Sequence, residues 1–236
     1  MNKILIYMLI KHKFIWDEVY CTLKNKEQIN NDQVNELCNG IKCHYITIID
    51  DIYPYYLRTV YKPPFAVFYH GNFDLMDKKH ICIESAIIKE DVQCLKFLAN
   101  NDYVLCFRYE NLNTDSLNLL IKNNLPFIVY VDNMESIINN EGLMKTINWK
   151  QCCFVSETYG YDQKISPRFL YGTNNPVIFF DDAKLANDET KEYLINQNIK
   201  IYLYTNKIVE ISTNSRLKLK KIKNFQNFKI VFINKN

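Results

Sequence analysis

The chain has 236 residues, 48% of them apolar and 23% charged, with a formal net charge of +3. That length holds one medium domain plus a small appendage. The apolar share excludes disorder as the main state, because enough surface can be buried to offset chain entropy; the weak positive charge, taken globally, names no polyanionic partner.

The opening run Ile4–Ile10 is apolar, is closed by Lys11 and Lys13, and is followed by no small-residue cleavage site. It reads as a helix and not as a signal peptide. No run approaches the roughly 20 residues that span a bilayer, so a cytoplasmic protein without membrane contact is expected. Residues 3–44 carry apolar positions at Leu5, Met8, Leu9, Phe14, Ile15, Val19, Leu23, Val34 and Leu37, with Asn31 and Asp32 where an N-cap belongs. They are expected to form an N-terminal helical extension, residues 1–44, packed on a main domain of residues 45–236.

The texture then changes. Tyr45–Ile49 and Phe65–Tyr69 are strand-like, and Tyr53-Pro54 and Lys62-Pro63-Pro64 punctuate the stretch between them. From residue 80 strand and helix alternate. Strands are predicted at 80–83, 103–107, 127–131, 152–155, 176–180 and 199–204, and helices at 87–100, 114–123, 134–144 and 188–197. The strands are continuously apolar, the pattern of strands buried on both faces. Alternation with helices then implies an α/β, Rossmann-like, doubly wound and mostly parallel sheet. The basic run Arg216–Lys223 alternates charged and apolar residues and fits a strand with one cationic face.

Eight cysteines are present, but Cys82, Cys106, Cys152 and Cys153 fall inside apolar strands, where a free thiol behaves as a small hydrophobe. No CxxC pair occurs. The only metal-like group, Cys38, Cys43 and His44, lacks a second half of ligands, so no metal site is expected.

In an open α/β sheet, ligands bind beyond the carboxyl ends of the strands. The first βα turn, Glu84-Ser85-Ala86, has a carboxylate and no glycine, whereas phosphate binding there needs glycine amides at a helix N-terminus. The four histidines, His12, His44, His70 and His80, are not placed near a Ser or Cys nucleophile by any pattern, and catalysis is not expected. Arg108 beside Tyr109, at a strand end, suits stacking of a base and holding of its backbone. Tyr159 and Tyr161 flank Gly160 and suit stacking too.

The run 49–57 (Ile-Asp-Asp-Ile-Tyr-Pro-Tyr-Tyr-Leu), then Pro63-Pro64, then Phe68-Tyr69-His70-Gly71-Asn72, resembles the DprA/Smf DNA-processing family, with its YP..L element, PP element and LY..GN strand end in this order. Downstream, Glu84-Ser85-Ala86 stands where that family carries its VGSR turn, and Asn111–Thr114 where it has GID. Ser156-Glu157 corresponds to SEYP, and Arg168 and Gly172 to the arginine and last glycine of NRIIAGL. The resemblance spans about residues 45–205. It implies a single-stranded-DNA-binding accessory protein of recombination or DNA uptake, a homodimer that helps load RecA, with no cofactor. Ser85 and Arg168 carry over as site residues, and Arg108, Lys184 and the 216–223 run are candidate backbone contacts. Glu84, Ala86, Asn111, Asn113, Leu117 and Pro167 depart from the family's residues. The alternative is a protein–protein module that keeps the fold without nucleic-acid binding. A small-molecule nucleotide enzyme is disfavoured by Glu84. A rim lined by Glu84, Glu110 and Asp182, with Arg168 turned away, would remove the nucleic-acid role.

Overall fold

Alternate side chains of an extended chain point to opposite faces, so a strand that is apolar at every position must be covered on both sides. The computed structural model describes residues 2–27, 29–172, 175–180, 193–194, 196–204 and 219–233, and it shows that arrangement. Phe68, Ile81, Phe107, Val129 and Phe154 belong to one buried cluster, while Val67, Cys82, Cys106, Ile128 and Cys153, their neighbours in sequence, belong to the other.

Among the described residues the strands are β1 (His44–Thr47), β2 (Ala66–Gly71), β3 (Lys79–Ile83), β4 (Tyr103–Arg108), β5 (Phe127–Tyr130), β6 (Cys152–Ser156), β7 (Val177–Phe179), β8 (Ile201–Tyr204) and β9 (Leu219–Ile222). They form one sheet in the order β1-β2-β6-β5-β4-β3-β7-β8-β9. Pairing from β6 to β9 along this order is parallel. The edge beyond β6 is antiparallel, β2 pairing with β6 and β1 with β2. The chain runs outward from β3 to β6, then returns to lay β7 on the other side of β3. The topological switch point therefore lies between β3 and β7.

The helices are α1 (Asn2–Lys11), α2 (Trp16–Asn25), α3 (Asn31–Asn39), α4 (Tyr55–Arg58), α5 (Val92–Ala99), α6 (Thr114–Lys122), α7 (Met134–Ile138), α8 (Glu141–Thr146), α9 (Pro167–Tyr171) and α10 (Phe225–Ile233). The three N-terminal helices share the cluster that holds Phe68 and Phe154: Leu5, Ile6, Leu9, Phe14 and Val19 are all buried in it. Phe14 meets Phe68 edge-on at 5.8 Å between ring centres, and Trp16 stacks on Phe65 at 5.1 Å.

Several boundaries differ from the sequence expectation. Asn30, not Asn31 or Asp32, caps α3 through its side chain. The segment expected to begin a helix at residue 87 is a turn as far as Asp91, and α5 starts at Val92. The single helix expected over 134–144 is two, with Asn140 capping the second. Most of the helix expected at 188–197 and residues 216–218 of the basic run lie outside the described residues; Leu219–Ile222 of that run is β9. All eight cysteines are free thiols, six of them buried and Cys21 exposed.

The motifs that carry the family resemblance have structural work. Tyr53 donates its hydroxyl to the Pro64 carbonyl at 2.6 Å, and Leu57 is fully buried. The Trp16 indole donates to the Pro63 carbonyl at 2.8 Å, so the PP element ties the β1–β2 connection to α2. Gly71 has φ of +107°, and a Cβ there would lie 2.3 Å from the Cys152 carbonyl oxygen. Only glycine fits that approach. Asn72 then donates to the Lys150 carbonyl and accepts from the Asp74 amide, starting the 3-10 turn Phe73–Asp77.

Candidate functional site

Parallel strands aim their carboxyl ends at one rim, and the residues just past β3, β4, β5 and β6 collect there. In register, Ile83 lies opposite Phe107, so Glu84 and Arg108, each one residue further on, become neighbours. Arg108 Nε approaches Glu84 Oε1 at 3.4 Å. The Tyr171 hydroxyl donates to the same oxygen at 2.7 Å, and the Asn111 amide donates to Oε2 at 3.2 Å. The Arg108 guanidinium also lies 5.7 Å from the centre of the Tyr171 ring. All four side chains are buried.

Burial pushes the Glu84 carboxyl above the usual carboxylate range, a shift that Arg108, Tyr171 and Asn111 oppose. Burial also works against the Arg108 charge, but Tyr171 and Glu84 more than offset it and hold the guanidinium protonated. The result is a polar plug in the place where a nucleotide-binding sheet opens a phosphate cradle. Ser85 completes it: its hydroxyl accepts the Phe180 amide at 2.9 Å, across the switch point.

Of the sequence-predicted site residues, Ser85, Arg108 and Arg168 have a definite place. Ser85 is fully buried; it is neither an exposed phosphate ligand nor an N-cap, because it holds the end of β7. Arg108 is 6% exposed and committed to the plug, so it is not free to hold a nucleic-acid backbone beside Tyr109 as its sequence position suggests. Arg168 stands at the start of α9, with Nη2 3.8 Å from Glu157 Oε1. It lines a crevice of about 30 Å³ beside Trp16 and Phe65. Glu157 is held in turn by the Ser166 amide and hydroxyl at 3.1 and 2.6 Å. Tyr159 is buried and accepts the Lys42 amide, which removes it from any stacking role. Lys184, Asp181 and Asp182 lie outside the described residues.

What the rim leaves open lies over β4 and β5. A cavity of about 140 Å³ is lined by Tyr109, Asp132, Asn133, Asp162 and Lys164, with Arg108 and Tyr130 at its floor. Asn133 is its hub. Its side-chain oxygen accepts the Glu135 and Gly160 amides at 3.0 and 2.9 Å, and its nitrogen donates to Asp162 at 3.1 Å. Asp132 accepts the Ile165 amide at 2.9 Å. Tyr109 is 40% exposed and also borders a groove of about 380 Å³ floored by Leu112, Leu117, Ile121, Leu143 and Phe154. Among the described residues, no charged side chain lines that groove. This second groove was not signalled by any motif; its only sequence trace is the apolar face of residues 112–121.

No family model matches the sequence, and no curated protein matches it either. Solved structures do match. DNA processing protein A (DprA) of Streptococcus pneumoniae superposes with a TM-score of 0.60 at 18% identity, over 89% of this chain and 78% of that one. DNA processing protein A of Helicobacter pylori, solved for its single-stranded DNA binding mode, superposes with a TM-score of 0.57 at 17% identity, over 81% of this chain and 97% of that one. The chain has the Rossmann-like fold of DprA.

Proposed function

We propose that the chain is a DprA-like DNA-processing protein that holds single-stranded DNA along the carboxyl rim of the sheet. The observation that carries this reading is the shared fold, which extends over nearly the whole of a relative known for binding single-stranded DNA. Of the features that would remove this role, Glu110 is on the rim and Arg168 is paired with Glu157, whereas Glu84 is held inside the plug by Arg108 and Asp182 lies outside the described residues, so the rim supports the reading only in a weakened form. With the switch point plugged and the amides around Asn133 already committed within the rim, contact falls to exposed Tyr109 and Tyr161 and to Lys164. Base stacking on aromatic side chains tolerates any sequence. Glu110, Asp132 and Asp162 on the same rim make the phosphate contribution small, so the site is a weakened one. The family resemblance implies an accessory role in a homodimer that works with a RecA-type recombinase, and the cytoplasmic location and lack of catalysis are carried over from the signal-free, span-free sequence and its scattered histidines.

A second reading is favoured by the plug itself. A fold whose ligand crevice is filled by its own ion pair suits a protein–protein module. A titration of fluorescent oligo-dT at increasing salt separates the two. The first reading expects micromolar binding at low salt that weakens with added salt. Tyr109→Ala should lose about 1–3 kcal/mol, while Arg168→Ala, already turned to Glu157, changes little. Absence of binding at low salt, or binding indifferent to salt, would leave the protein module.

A further inference from the structure

The opposite rim, at the amino ends of the strands, holds a second cavity made by strand register. Cys82 of β3 and Ile201 of β8 both lie level with Val177, the first residue of β7. β3 begins earlier, at Lys79, whereas β8 starts level with β7, so the step in the rim lies on the β3 side. The gap is a notch of about 370 Å³, with Pro176 at its base, Lys79 and Tyr103 on one side, and Asn198 and Lys200 on the other. Its size is that of a small-molecule site.

Its chemistry is cationic with an apolar floor. Lys79 and Lys200 are both exposed, and among the described residues neither has a carboxylate within ion-pair distance. Lys79 and Lys200 both line the notch, and lysine binds phosphate as a point charge. Tyr103 and Pro176 offer a flat apolar surface beside that charge. Asp77 and Asp102 are the acids nearest in sequence; neither lines the notch.

We propose that this notch binds a phosphorylated small molecule of nucleotide size, its phosphates between Lys79 and Lys200 and its uncharged part against Tyr103 and Pro176. The site is on the rim away from the proposed DNA path and stands independently of it.

Isothermal titration of the full chain with ATP, tripolyphosphate, adenosine and oligo-dT, at fixed ionic strength with chelator, tests this. ATP and tripolyphosphate should bind saturably, with adenosine at least roughly ten-fold weaker. The Lys79→Ala/Lys200→Ala variant should lose roughly ten-fold or more in ATP affinity, whereas Lys11→Ala/Lys145→Ala, which removes the same charge elsewhere, should stay within about two-fold. Both pairs are at exposed positions, and an unchanged thermal melt checks that each variant is folded. No saturable binding of ATP or tripolyphosphate, or equal losses in both double variants, overturns the proposal. So does a dependence on Lys79 and Lys200 seen only with oligo-dT, which would make the notch part of a strand path.

Discussion

At the scale of single residues, Glu84 decides what the switch point can do. A carboxylate in the first βα turn repels phosphate, and that much is legible in the sequence. Its partner was not legible: Arg108 meets Glu84 only because the β3–β4 register sets Ile83 level with Phe107. The sequence reading instead set Arg108 beside its chain neighbour Tyr109, because strand order is not visible in one dimension. Removing one member of a buried pair strands the other charge. Arg108→Ala should therefore lower the unfolding free energy by about 3–5 kcal/mol, measured by urea denaturation, and Glu84→Leu/Arg108→Met should recover most of it. A loss below about 1 kcal/mol in the single variant would mean that the plug is not what closes the crevice.

At the scale of elements, the continuous apolar strands were readable because burial on both faces leaves no other pattern. The antiparallel edge was not, since β1 and β2 look like every other buried strand and pairing direction follows from topology alone. α10 was also missed. Phe225, Phe228 and Phe232 recur at helical spacing, but they follow a basic run that draws attention to charge. The LY..GN motif was recognised by resemblance, and its physical cause is visible only in three dimensions, where β2 passes the Cys152 carbonyl with φ positive at Gly71. Gly71→Ala should cost about 1–3 kcal/mol from the backbone alone, and more because the added carbon meets that oxygen. Thermal unfolding would show a clear drop in midpoint; an unchanged midpoint would contradict the close approach.

At the scale of the whole molecule, the N-terminal helices and the sheet share one hydrophobic cluster. The sequence foresaw that three short helices could not bury enough by themselves, which is a statement about area and needs no contact map. Removing residues 1–40 should expose the Phe65, Phe68 and Tyr159 surface, giving a product that binds a hydrophobic dye and aggregates. A truncated chain that stays monomeric, dark to the dye and cooperative in its melt would show the helices to be dispensable. The plug has a further consequence for redesign. Placing glycine at position 84 would abandon Arg108 as a lone interior cation, while losing Arg108 first would abandon Glu84. Either order passes through a less stable intermediate, so single substitutions cannot readily open this switch point to a phosphate, and a new ligand is more easily engineered elsewhere on the surface.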